Sequence, residues 1–165
     1  MTTQKLEDPK NRYPKPPFKE QQQPWPGLAN EMDPRPDHGE KSYKGSGRLA
    51  GRKALITGGD SGMGRGAAIA FAREGADVAI NYFPTEQPDA DEVIALIKEA
   101  GRKAVAIPGD LREENFCKKL VSNAIQQLGG HRSSWPRFRR AIALTRLERR
   151  SSTGWFGLGS NSSLR

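Results

Sequence analysis

Cysteine is all but absent from this chain of 165 residues: Cys117 stands alone, so no intrachain disulfide can form, which suits a reducing compartment. No apolar run is long enough to span a bilayer, and the polar N-terminus lacks the apolar stretch of a signal peptide. The expectation is a soluble, cytoplasmic protein with no membrane partner. Lys and Asp are missing from residues 131–165, where eight Arg face the single acid Glu148. Seven of the eight formal net positive charges therefore sit in the tail, because residues 1–130 carry 19 basic and 18 acidic residues. The part able to fold is close to neutral, so nucleic acid is not its expected partner.

Composition divides the chain into three stretches. Residues 1–47 form a proline-rich arm holding eight of the twelve prolines, residues 48–130 alternate apolar runs with glycine-bearing turns, and residues 131–165 form an Arg/Ser-rich tail. In the arm, Tyr13-Pro14-Lys15-Pro16-Pro17-Phe18, Pro24-Trp25-Pro26-Gly27 and Asp33-Pro34-Arg35-Pro36 follow one another. Each proline fixes its own φ and pushes its predecessor out of the helical region, so the arm reads as extended and polyproline-like. It is either a flexible leader, an arm that packs Tyr13, Phe18 and Trp25 onto its own domain or a neighbouring subunit, or a proline-motif ligand. Lys44-Gly45-Ser46-Gly47 reads as a hinge into the domain.

From residue 52 the pattern becomes regular. Lys53 to Thr57 is a short buried strand running into a glycine-rich turn, and Arg65 to Glu74 is an Ala-rich helix stopped by Gly75. Asp77 to Tyr82 is a second strand. Pro88 to Ala100 is a second helix, with Pro88 and the acids Asp89, Asp91 and Glu92 suited to its first turn. Lys103 to Ile107 is a third strand. Asp110-Leu111-Arg112-Glu113 resembles a capping box with Asp in the Ser/Thr position, and Phe116, Leu120, Ala124 and Leu128 recur at helical spacing before Gly129-Gly130. Strand and helix alternate three times, which calls for a parallel sheet with right-handed crossovers. The fold class is α/β: a partial Rossmann fold, one βαβαβα half of a doubly wound parallel sheet, with an extended arm and an irregular tail.

The central motif is Thr57-Gly58-Gly59-Asp60-Ser61-Gly62-Met63-Gly64-Arg65, which follows a strand and opens a helix. Gly58 lets the chain turn sharply, Gly62 lets the backbone approach a pyrophosphate, and Gly64 lets the helix lie tight on the sheet. The amides and dipole of the helix start then bind phosphate. The plainer alternative is a glycine-bearing strand–helix turn without a ligand, and Asp60 reads as no more than a turn residue.

With this spacing, Thr57 to Arg65 resembles the short-chain dehydrogenase/reductase family. The resemblance extends to Gly75-Ala76-Asp77-Val78 before the second strand and to Gly109-Asp110-Leu111 after the third. The leader, with Gly39-Glu40-Lys41-Ser42-Tyr43 and Gly45-Ser46-Gly47-Arg48-Leu49, is similar to a bacterial subgroup with an N-terminal extension. The resemblance implies an NAD(P)-dependent oxidoreductase acting on an alcohol or carbonyl, and an oligomer in the intact enzyme. It implies that Gly58, Ser61, Gly62, Met63 and Gly64 line the pyrophosphate, that Asp110 hydrogen-bonds the adenine amino group, and that Leu111 packs beside the ring. Asp110 also reads as a simple helix cap. At the end of the second strand an acid would select NAD. Asn81 and Tyr82 are neutral there, which leaves NADP(H) slightly favoured, although no well-placed Arg or Lys settles the preference. No metal site is expected.

The family's catalytic Ser and Tyr-x-x-x-Lys have no counterpart: Tyr43 and Tyr82 lie outside that context and no Tyr follows residue 82. No catalytic residue is therefore assigned, and the chain alone is expected to be an inactive fragment. His131-Arg132-Ser133-Ser134 can be written CAT CGA TCT TCT, one choice among synonymous codons; read one base later this gives Ile-Asp-Leu-Leu, and the resemblance implies an apolar-Asp-x-Leu segment at that point. A frameshift near codon 130 is the favoured account of the tail; a basic helix at Phe138 to Arg150 that binds nucleic acid or anionic lipid, or plain disorder, are the others. In the strand order 3-2-1-4-5-6, Ala54-Leu55-Ile56 would then lie on an open edge, with marginal stability and weak or no dinucleotide binding. A binding module without catalysis, for a dinucleotide or a partner chain, is the competing function.

Overall fold

The computed structural model describes residues 8–11 and 13–129. The expectations for residues 131–165 (frameshifted text, basic helix or disorder) lie outside the described residues. Three strands, β1 (Lys53–Thr57), β2 (Asp77–Tyr82) and β3 (Ala104–Pro108), alternate with three helices, α1 (Gly62–Arg73), α2 (Gln87–Glu99) and α3 (Glu114–Gln127). The strands are parallel in the order β1-β2-β3, with Leu55 opposite Ala79 and Ile56 opposite Ile80 in the first pair and Ala79 opposite Val105 in the second. Parallel strands need crossovers, and the helices between them supply these.

The two-residue period of the strands sorts their side chains between two cores. Ile56, Val78 and Ile80 face α1 and α2, meeting Ala68, Ala72, Ala90, Val93 and Ile97. Leu55, Ala79, Val105 and Ile107 face α3, meeting Leu120, Ala124 and Leu128. Ile56, Ile80 and Ile97 have no exposed surface, and each such side chain stabilises the fold by about 1.5–3 kcal/mol of transfer energy. Alanines on α1 let that helix approach the sheet closely. Among the described residues β1 pairs with β2 alone, so its other edge has no strand partner.

Several boundaries differ from the sequence expectation. Helix α1 begins at Gly62 rather than Arg65: Gly62 enters it at φ +52°, and Met63 and Gly64, read as part of the turn, lie in its first turn. A 3-10 turn at Pro84–Glu86 leads into α2, which starts at Gln87 with Pro88 in its first turn. Strand β3 is displaced by one residue and ends at Pro108. The expected capping box at Asp110 does not form. The N-cap of α3 is Glu113, without a side-chain cap, and the Asp110 carboxylate instead accepts the Arg112 amide at 2.9 Å and its guanidinium at 2.6 Å.

From Trp25 onward the proline-rich arm is laid onto the α/β unit. The Trp25 ring meets that of Phe83 with centroids 5.4 Å apart. A 3-10 turn at Ala29–Glu31 follows, and the Ala29 amide donates to Asp89 at 2.6 Å. Arg65, 1% exposed on α1, bridges Glu40 of the arm at 2.9 Å and Glu92 of α2 at 2.8 Å, and Arg35 also pairs with Glu92. All three aromatics of the arm, Tyr13, Phe18 and Trp25, keep half or more of their surface exposed; the ring of Trp25 is the one set against Phe83. The expected hinge at Lys44–Gly47 is tied down. A Cβ on Gly45 would lie 1.9 Å from the Arg73 carbonyl oxygen, and the Ser46 amide donates to Glu74 at 3.1 Å.

Candidate functional site

The C-terminal ends of the three parallel strands meet at one edge of the sheet, where doubly wound folds place their ligands. The glycine-rich turn enters from β1. Gly58, with φ +60°, takes the chain out of the strand in a conformation that side chains resist. Gly59 packs the turn against β2: a Cβ there would fall 2.6 Å from Ile80 Cγ2, and the Gly59 amide donates to the Asn81 carbonyl at 3.0 Å. Asp60 is a turn residue, as expected, and it is buried.

Ser61 is the N-cap of α1 and makes no side-chain hydrogen bond to the first turn. Gly62 has φ +52°, and the space where a Cβ would project holds no atom within 4 Å. An uncapped helix start facing open space, with its dipole aimed outward, fits an anionic group such as a pyrophosphate. Met63 is largely exposed on the same turn, while Gly64 is buried.

Beside this turn lies a cleft of about 300 Å³, lined by Thr57, Gly58, Asn81, Tyr82, Gly109 and Leu111 among others. A second cleft of about 240 Å³ adjoins it over Gly58, Asp60 and Ser61. Six of the residues expected at the site, Gly58, Ser61, Asn81, Tyr82, Asp110 and Leu111, line one or both clefts. Gly62, Met63 and Gly64 form the adjoining first turn of α1.

The polar atoms of β2's end are already engaged within the protein. Asn81, 1% exposed, donates its side-chain amide to the carbonyls of Ile107 at 3.0 Å and Gly109 at 3.1 Å, holding the β3 exit against β2. Tyr82 donates its hydroxyl to Gln87 Oε1 at 2.7 Å, and burial pushes its phenol pKa up. Both side chains shape the wall of the cleft.

Glu86, Arg112 and Trp25 are among the cleft residues that were missed from sequence. Glu86, buried at the end of the 3-10 turn after β2, lines both clefts. It supplies an acid near the end of β2, where the sequence shows only Asn81 and Tyr82. Arg112 also lines the larger cleft, with its guanidinium 6.0 Å from the Phe83 ring centre. It is the nearby cation that linear spacing did not reveal. Trp25 comes from the arm and lines both clefts. None of the three belongs to a periodic pattern, so no local signal marks them.

Besides Asp89 and Glu92, two further carboxylates fix the arm. Glu74, 5% exposed at the end of α1, accepts the Tyr43 hydroxyl, then the Arg48 amide at 2.9 Å and the Ser46 amide. These bonds hold its pKa at about 2. Burial pushes Glu40 up, but the amides of Glu40 and His38 and the Arg65 guanidinium outweigh it and leave its pKa at about 2.

Among the described residues no helix is long and apolar enough to cross a membrane. Residues 52–131 match the family model described as short chain dehydrogenase. The chain is 68% identical over 113 residues to an uncharacterized oxidoreductase YhxD of Bacillus subtilis, a match that covers 68% of this chain and 38% of that protein. It is 58% identical over 125 residues to an uncharacterized oxidoreductase YghA of Escherichia coli, covering 76% of this chain and 42% of the relative. It is 38% identical over 116 residues to NADPH-dependent aldehyde reductase 1, chloroplastic, of Arabidopsis thaliana, covering 67% of this chain and 40% of the relative. The chain thus spans about two fifths of the length of these relatives. The parallel sheet, its glycine-rich turn and these matches agree: the segment matched at residues 52–131 belongs to the short-chain dehydrogenase family.

Proposed function

We propose that residues 48–129 are the dinucleotide-binding part of an NAD(P)-dependent oxidoreductase that acts on an alcohol or carbonyl. The observation that carries this is the uncapped start of α1, where Gly62 leaves open space beside clefts at the strand ends. When bound, the nicotinamide carries the hydride exchanged with substrate. The chain's own residues bind and orient: the first-turn amides of α1 hold the pyrophosphate, Gly58 and Ser61 border it, and Asp110 and Leu111 flank the adenine. NADP(H) is slightly favoured over NAD(H). Arg112 at the cleft and the neutral Asn81 and Tyr82 support it, as does similarity to a relative named for NADPH; Glu86 opposes it.

Binding by the 165-residue chain is expected to be weak, because among the described residues β1 has no strand on its outer side to continue the cleft wall. Turnover by this chain alone is not expected, since its sequence has no Tyr-x-x-x-Lys pair to serve as acid and base. The test is a fluorescence titration with NADPH and NADH. Saturable binding that is lost in Gly62→Val at a temperature where the variant is still folded supports the assignment. A folded wild-type chain with no saturable response rejects it.

A further inference from the structure

We propose that the N-terminal arm completes the adenosine end of the dinucleotide cleft, with the indole of Trp25 as its outer wall, a role that rests on the dinucleotide assignment above. Trp25, Gly58 and Glu86 are shared by the two clefts and so stand at their border. The ring of Trp25 is braced against Phe83, the residue that follows β2, at 5.4 Å between centroids and 54° between planes. This tilted contact engages part of the indole and leaves 65% of the residue's surface exposed at the cleft mouth. A large aromatic held in place and well exposed at the cleft mouth offers a stacking surface for a planar base.

The arm is positioned for this role by contacts on both sides of Trp25. Gln23 folds over the turn, accepting the Leu28 amide at 2.6 Å and donating to its carbonyl at 3.1 Å. The next amide, of Ala29, is bound by the fully buried Asp89. Residues 23–29 thus form a closed loop clipped to α2, and Trp25 lies at its tip. The ordering entropy of the indole is spent within the fold rather than on binding, which raises affinity.

Two observations place the adenosine half, rather than the nicotinamide half, beside Trp25. The half-sheet present takes one mononucleotide beside the helix that holds the pyrophosphate, and the end of β2 is where such folds read the adenosine ribose. Trp25 touches the residue that follows β2, and its cleft continues along Gly109 to Leu111 after β3. It lies on the β2–β3 side of the turn, away from the outer edge of β1.

The experiment uses the full chain with NADPH, ADP and nicotinamide mononucleotide as probes. Trp135→Phe and Trp155→Phe leave Trp25 as the single tryptophan, so its emission reports directly. The expected result is saturable quenching of Trp25 by NADPH and by ADP. Trp25→Ala weakens both by about tenfold and leaves nicotinamide mononucleotide unaffected. Trp25→Phe, which retains a stacking ring, recovers most of the affinity. Thermal melts establish that the variants are folded. Equal NADPH affinity in wild type and folded Trp25→Ala overturns the role of the arm while leaving the dinucleotide assignment intact. Absence of binding by folded wild type removes both.

Discussion

Asp89, fully buried in the first turn of α2, accepts the backbone amide of Ala29 at 2.6 Å across 60 residues of chain. Its second oxygen receives the Asn30 amide at 3.4 Å. A short proline-rich stretch cannot bury much apolar surface, so its position depends on such fixed polar contacts. Replacing Asp89 by Ala leaves the buried Ala29 amide without an acceptor, a loss of about 1–3 kcal/mol. The expected outcome of Asp89→Ala is rapid proteolysis within residues 25–40 and a lower thermal midpoint. Asp89→Asn retains one acceptor oxygen and should fall between the two. Equal cleavage rates in wild type and Asp89→Ala would show that the arm is held by other contacts.

Acid should release the arm before it unfolds the sheet. Glu74 and Glu40 both have pKa values of about 2 against an ordinary 4.5, and Glu92 is lowered as well: burial raises it, but Arg65 and Arg35 outweigh that. A carboxylate whose pKa is depressed by folding binds fewer protons folded than unfolded. Its contribution is therefore complete above the ordinary carboxylate value and declines as pH falls toward 2. Protease sensitivity of residues 35–50 is expected to rise through that window while the far-ultraviolet spectrum of the α/β unit changes less. Glu74→Gln should already be sensitive at neutral pH and show a shallower acid response. An arm equally protected at pH 7 and at pH 3 would contradict this.

Much of this fold was legible locally. Lys53–Thr57 and Asp77–Tyr82 were readable to the residue because short apolar runs there are bounded by charge and glycine, and after Tyr82 by Phe83-Pro84. The start of α1 was not, since glycine in a first helical turn has no side chain to show periodicity. Gly59 had no role in the sequence reading because its neighbour Ile80 lies on a different strand. Asp89 read only as an acid suited to a helix N-terminus, and nothing local marked it as the anchor of a distant arm. Glu86, Arg112 and Trp25 reach the clefts through a 3-10 turn, a loop and a folded-back arm, which only the tertiary structure brings together.

Glu86 and Arg112 carry opposite charges into the cleft that would receive the ribose, and their balance should set the preference between dinucleotides. The Arg112 side chain is 60% exposed and already shares its charge with Asp110, so its worth to a phosphate is modest, about 1 kcal/mol or roughly fivefold in affinity. Arg112→Ala is expected to weaken NADPH by that factor and leave NADH nearly unchanged. Glu86→Gln removes repulsion and should favour NADPH over NADH. Calorimetric titration of both dinucleotides against both variants checks this, and unaltered NADPH-to-NADH ratios would exclude either residue as a determinant.

Gly59 and Gly62 lie three positions apart and should fail for different reasons. A Cβ on Gly59 meets Ile80 Cγ2 at 2.6 Å and Ile80 Cβ at 2.7 Å, both in the packed core. Strand β2 cannot retreat without disturbing its pairing on both sides, so Gly59→Ala is expected to cost about 1–3 kcal/mol of stability. At Gly62 there is open space, and the cost of Ala is that of the left-handed conformation at φ +52°, about 1–2 kcal/mol. A larger side chain at Gly62 starts from a Cβ with no neighbour within 4 Å and projects into the volume in front of the helix start, at a higher cost than Ala in the left-handed conformation. Gly62→Val should therefore lose dinucleotide binding in excess of its loss of stability, whereas Gly59→Ala should lose stability first and binding only through unfolding. Urea denaturation and NADPH titration of the two variants separate these outcomes. If Gly62→Val binds as wild type does, the pyrophosphate does not lie at the start of α1.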